Sequence, residues 1–140
     1  MDKETRKHIQ NETDLKAAKA GYRFDKARAD HVVKFFSYLR HTIGEWAGKP
    51  LELLKWQKED VIYPLFGWVD KDGLRRFRTA YIEIAKKNGK STMCSGLALY
   101  LLAGDNEPGA QVYTAAASRD QATIVYREAS RMATGSSLFK

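Results

Sequence analysis

The chain has 140 residues, 44% of them hydrophobic, which is enough for one domain with a real core. Its 24 lysines and arginines outnumber 17 acids and leave a formal charge of +7, which favours anionic partners such as nucleic acid or nucleotide phosphate. A single cysteine, Cys94, excludes an internal disulfide framework; no apolar run of membrane-spanning length and no hydrophobic leader is seen, so an intracellular, reduced setting is expected.

Residues 1–20 are polar and charge-dense and read as a frayed helix or a disordered lead. Residues 28–43 carry Val32, Phe36, Leu39 and Ile43 at helical spacing. Gly44 and the Gly48-Lys49-Pro50 group break that pattern. Leu51 to Tyr63 reads as a second helix, with Leu54, Val61 and Ile62 expected in the core and Pro64 ending or kinking it. Phe66 to Val69 is a short apolar run. Asp70-Lys71-Asp72-Gly73 is a turn of hairpin type. Arg76 to Ile84 is expected to be a strand.

From Lys90 the period becomes helical. Met93, Leu97 and Leu101, with Cys94, Ala98 and Leu102, make one stripe, and Gly104 is a natural stop. On that stripe Cys94 reads as a buried thiol rather than a nucleophile. Residues 105–109 form a loop, and Gln111 to Ala115 a second short strand. Ser118 starts another helix, with Gln121 in capping-box position. Ala122, Val125, Tyr126, Ala129 and Met132 are its apolar stripe, and Gly135 closes it. Strand, loop, helix, strand, helix is a β-α-β unit, whose right-handed crossover implies parallel strands. The expected fold is therefore α/β: a P-loop NTPase-like parallel β-α-β core, preceded by an N-terminal helical segment. The expected organisation is a polar lead over 1–20, the helical segment over 21–65, and the first part of an incomplete core over 66–140.

The loop of that unit carries the chemistry. Ile84-Ala85-Lys86-Lys87-Asn88-Gly89-Lys90-Ser91 matches the end of G-x-x-x-x-G-K-[ST], with Ile84 in place of the opening glycine. A phosphate chain needs converging backbone N–H donors and the positive end of a helix. Gly89 allows close backbone approach, Lys90 offers an ammonium to the β- and γ-phosphates, and Ser91 offers a hydroxyl to Mg²⁺. Thr92 is adjacent, but the register after Lys90 favours Ser91. Lys86 and Lys87 are either solvated charges or further phosphate contacts, one of them reaching the γ-phosphate in a finger-like role. Upstream, the amide of Gln57 has the geometry to pair with adenine's N6 and N7 edge, beside Trp56 as a stacking ring. An acid at the end of a later parallel strand is not found. Asp70 follows the run from Phe66 and ends in a turn, and Asp105 lies at the exit of the loop's helix.

Several ordered pieces resemble the large subunit of tailed-phage terminases. They are Gly21-Tyr22-Arg23-Phe24-Asp25, Gly44-Glu45-Trp46-Ala47-Gly48-Lys49-Pro50, Trp56-Gln57, Pro64-Leu65-Phe66-Gly67-Trp68, the loop 85–91, and Ala116-Ala117-Ser118-Arg119-Asp120-Gln121-Ala122. The likeness covers about residues 21–133. It implies an ATP-driven motor that packages double-stranded DNA into a capsid, with a nuclease domain elsewhere in the protein. It implies ATP and Mg²⁺ as ligands, with Gln57 on adenine and Lys90 and Ser91 on phosphate and metal. It implies the portal protein, the terminase small subunit and double-stranded DNA as partners, with no membrane, in the cytoplasm of a bacterial host. Lys86 stands where the family often has arginine, and a lysine cannot copy the bidentate guanidinium. On this likeness the chain reads as an N-terminal fragment, with Walker B acid, catalytic glutamate and nuclease carboxylates expected after Lys140, little hydrolysis by itself, and compatibility with a monomer. Two alternatives stay open: a non-catalytic basic module binding DNA or a partner, and a helicase-type P-loop ATPase fragment.

Overall fold

The computed structural model describes residues 1–139. Packing divides the chain into two units, one joining Met1–Val33 to Leu53–Ile82 and the other joining Lys34–Glu52 to residues 83–139.

The first unit opens with helices α1 (Lys3–Lys7) and α2 (Glu12–Lys19). Each begins on its own polar cap: Asp2 accepts the Thr5 N–H at 2.7 Å and Asn11 accepts the Asp14 N–H at 2.9 Å. Both place acids in the first turn and bases in the last, as the helix dipole favours. The charge-dense lead is thus folded, and three contacts hold it. The Thr5 hydroxyl accepts the Phe24 N–H at 2.9 Å. The His8 ring stacks on Phe24 with centroids 3.5 Å apart. Asp14 pairs with Arg76 at 2.7 Å, the Asp14 carboxylate buried and the Arg76 side chain largely so.

Strand β1 (Arg23–Phe24) pairs antiparallel with β2 (Trp68–Val69), Arg23 opposite Val69 and Phe24 opposite Trp68. Phe24, Ala29 and Trp68 form the core of this unit, ringed by Ile9, Ala18, Tyr22, Tyr63 and Phe77. After β2 the Asp70 carboxylate accepts the N–H groups of Asp72 and Leu74, each at 2.9 Å, and closes the expected turn. Arg28 donates to the Gly73 carbonyl from outside it.

Helix α3 (Lys26–Tyr38) runs from the first unit into the second and ends five residues before the expected Ile43. In the second unit the chain then folds back on itself. Leu51 donates to the Leu39 carbonyl at 2.9 Å, and His41 to that of Lys49 at 3.0 Å. These bonds leave Ile43 exposed at the tip. The helix expected over 51–63 lies at 55–67 instead, as a π-helical stretch Gln57–Ile62 followed by α4 (Tyr63–Gly67). Pro64 has no N–H to return to the preceding turn, and a widened turn upstream accommodates that loss. Ile62 is buried as expected, whereas Leu54 is exposed.

Helices α5 (Lys90–Leu99) and α6 (Arg119–Gly135) pack against each other in the second unit. A π-helical turn, Tyr100–Gly104, extends α5 to the expected glycine stop. The packed face of α5 follows the expected stripe at Met93 and departs from it beyond. Met93, Ser95, Gly96, Leu99 and Tyr100 are buried, while Leu102 is exposed. Gly96 decides this, because a Cβ there would lie 2.4 Å from the Phe36 ring. Ser95 is buried with its one hydroxyl proton shared between the carbonyls of Ser91 at 2.8 Å and Val125 at 3.0 Å. Helix α6 starts at Ser118, whose hydroxyl accepts the Gln121 N–H at 3.3 Å, and it buries Ala129 and Met132 while leaving Tyr126 exposed.

The strands expected over 76–84 and 111–115 do not form. Among the described residues the sheet is the two-stranded antiparallel pair, and two isolated bridges, Val69–Arg75 and Arg40–Pro50, lie outside it. Tyr81 and Tyr113 stand 88% and 83% exposed in these extended segments. A strand needs a neighbour for its N–H and C=O groups, and β-propensity expresses packing on a pleated face more than a backbone preference. The architecture is mixed helix and strand, with no parallel β-α-β core among the described residues. None of the described helices is long and apolar enough to cross a membrane.

Candidate functional site

The loop before α5 has the local geometry that its residue types suggest. Lys87 and Gly89 both adopt left-handed backbone, with φ of 66° and 74°. The Asn88 amide donates to the Ala85 carbonyl at 3.3 Å and closes the turn between them. Gly89 occupies the N-cap position and contributes no side-chain cap. The first helical bond is from the Met93 N–H to the Gly89 carbonyl at 2.9 Å. The N–H groups of Lys90, Ser91 and Thr92 come before that bond and are available to an outside acceptor. The first turn of α5 contains no acid, so nothing in the helix itself offsets its positive end.

The side chains of Lys86, Lys87, Asn88, Lys90 and Ser91 are exposed around this turn. Lys90 has no ion-pair partner among the described residues. Thr92 differs from Ser91: it is half-buried, and its hydroxyl donates to Glu128 of α6 at 2.6 Å. Of the two adjacent hydroxyls, Ser91 is therefore the one open to a ligand. Burial pushes the Cys94 thiol up, and Lys90 one turn earlier pulls weakly the other way. Cys94 stays protonated at neutral pH and is half-buried, where a buried thiol was expected.

Residues 86–92 lie together in the second unit, whereas Trp56 and Gln57 belong to the first. Gln57 is buried, and its side-chain oxygen accepts the Leu54 N–H at 2.9 Å. That bond makes it a cap for its own helical stretch and sets the orientation of the amide. Trp56 beside it is half-buried. Asp70 is occupied in closing its turn, and Asp105 caps the helical stretch after α5. Among the described residues no three His, Cys, Asp or Glu side chains come together as a metal cage. A divalent ion here fits as one carried by phosphate oxygens and water, with Ser91 adding a single hydroxyl.

Glu128 is the residue of this neighbourhood that the sequence reading passed over. Its signal was present: it shares a helical face with Val125 and Met132, and a carboxylate on a packed face needs a partner.

A family model described as terminase large subunit, ATPase domain, matches residues 55–137, more than half of the chain. No curated protein and no solved structure matches it.

Proposed function

The chain belongs to the terminase large-subunit ATPase family, and from that membership we propose that residues 86–92 are the phosphate site of a DNA-packaging motor. The observation that carries the reading is the uncapped first turn of α5 behind a left-handed Gly89, with Lys90 and Ser91 exposed beside it. Phosphate oxygens accept from the free N–H groups of Lys90, Ser91 and Thr92, and gain from the positive end of the helix. Lys90 neutralises the β- and γ-phosphates, and Ser91 supplies one oxygen to a Mg²⁺ that arrives with the nucleotide. Bound Mg²⁺ supplies charge neutralisation between those phosphates. Lys87 and Asn88 shape the loop, and Lys86 is the basic group that reaches the γ-phosphate.

The family reading also supplies strand neighbours for 76–84 and 111–115, which would set those segments into a parallel core and hold the loop at a strand end. Double-stranded DNA, a portal protein and a small subunit are the partners, in the cytoplasm of a bacterial host. With no three His, Cys, Asp or Glu side chains gathered into a metal cage among the described residues, and with Glu128 engaged by the Thr92 hydroxyl, binding of Mg-ATP without appreciable turnover is the expected behaviour of this 140-residue chain.

Calorimetric titration with Mg-ATP tests this. Binding is expected, and Lys90→Ala is expected to weaken it roughly 10- to 100-fold, the loss of one charged hydrogen-bonding partner. DNA binding that falls steeply with salt and ignores both ATP and Lys90→Ala would instead favour a non-catalytic basic module, which the +7 charge alone could support.

A further inference from the structure

The phosphate loop is exposed on every side chain from Ala85 to Ser91, yet a phosphate site works only when its donors are held still. What holds the first turn of α5 is a pair of contacts to α6. Ser95 donates to the Val125 carbonyl one turn further on. Within the first turn itself the tie is the Thr92 hydroxyl, donating to the Glu128 carboxylate at 2.6 Å across 36 positions of sequence. Thr92 follows directly after Ser91, so whatever fixes Thr92 fixes the backbone that presents the Ser91 hydroxyl and the three free N–H groups.

We propose that Glu128 is a positioning residue of the nucleotide site, acting through Thr92 to hold the first turn of α5 in the geometry that receives phosphate. The proposal rests on the nucleotide reading above. Glu128 does not touch the phosphate chain. Its oxygen accepts the Thr92 proton and thereby keeps the Thr92 hydroxyl away from the metal position, leaving that position to Ser91. A carboxylate beside the positive end of α5 also favours the turn in the absence of nucleotide. Two parts of its role are separable by chemistry. Glutamine keeps an accepting oxygen at the same reach and drops the charge, whereas alanine removes both.

The test is a double-mutant cycle on the 140-residue chain, with Mg-ATP affinity by calorimetry and amide hydrogen exchange of the nucleotide-free protein as independent readouts. Glu128→Ala and Thr92→Val are each expected to weaken Mg-ATP roughly tenfold, and together no more than either alone. Glu128→Gln is expected to stay within about twofold of the parent, because it restores the hydrogen bond. Exchange at the Met93 amide, the first bonded donor of α5, is expected to quicken in Glu128→Ala and to recover in Glu128→Gln. A purely structural role would lower the melting temperature without the rescue of affinity. Affinity and Met93 exchange both unchanged in Glu128→Ala, or additive losses in the cycle, would overturn the proposal alone. Failure of the parent chain to bind Mg-ATP would overturn the nucleotide reading and this proposal with it, even with Met93 exchange behaving as expected.

Discussion

Lys87 sits at φ 66°, where a side chain with a Cβ is strained by about 1–2 kcal/mol. Gly89, two residues on, adopts the same region at no such cost. Asparagine tolerates left-handed backbone better than lysine, so Lys87→Asn is expected to stabilise the chain by about 0.5–1 kcal/mol. Lys87→Val, β-branched, should destabilise it; both are read as shifts in the thermal midpoint. If the asparagine variant melts lower than the parent, the left-handed assignment at 87 is wrong. At this scale the sequence was informative wherever the chemistry is contiguous. Gly89, Lys90 and Ser91 are neighbours, and their local geometry follows from residue type. The choice between Ser91 and Thr92 was harder to argue, because what decides it is Glu128, far away in sequence.

Helices α5 and α6 illustrate what periodicity can and cannot assign. Both ends of α6 were legible, because Ser118 and Gly135 are local start and stop signals. The face of α5 was not. Counting apolar residues selected Leu97, Leu101 and Leu102, whereas the buried face carries Ser95 and Gly96. Small residues permit close approach, and Phe36 fills the space that a side chain at 96 would need. Gly96→Ala therefore tests packing against propensity. Helix propensity alone predicts stabilisation of about 1 kcal/mol. Overpacking against Phe36 predicts a loss of about 1–3 kcal/mol, and that loss is the expected outcome in chemical denaturation. Adding Phe36→Leu should recover part of it. The two expected strands failed for a different reason: residues 76–84 and 111–115 have strand-forming composition, but among the described residues neither has a partner to complete a ladder.

For the molecule as a whole, the N-terminal lead is helical and held by distant contacts, whereas its composition, which averages over position, left a frayed helix and a disordered lead both open. Its acids and bases are placed at helix ends, and Asp14 reaches Arg76 at 62 positions' separation in a largely buried pair. A second long-range cluster gives the chain a predictable response to acid. Burial alone would push the Asp30 carboxyl up, but hydrogen bonds from Lys26 and Tyr63, with the Lys26 charge, hold it below the usual carboxylate range. A carboxyl depressed by folding contributes stability above its unfolded value of about 3.9 and loses that contribution as pH falls through the folded value. Asp30→Asn is expected to lower stability at neutral pH and to flatten the acid limb of the stability profile, measured by denaturation between pH 7 and pH 2. An acid limb as steep as the parent's would show that other carboxylates carry it. The sequence by itself determined the net positive charge, the ends of α6 at Ser118 and Gly135, and the glycine turn before α5, all of which depend on residue type or on groups a few positions apart. Only the tertiary structure decided which face of α5 is buried, which hydroxyl beside Lys90 stays open, and that the charged N-terminus folds. Each of those depends on a contact between distant residues, Gly96 with Phe36, Thr92 with Glu128 and Asp14 with Arg76, and no local pattern encodes which distant residue will be there.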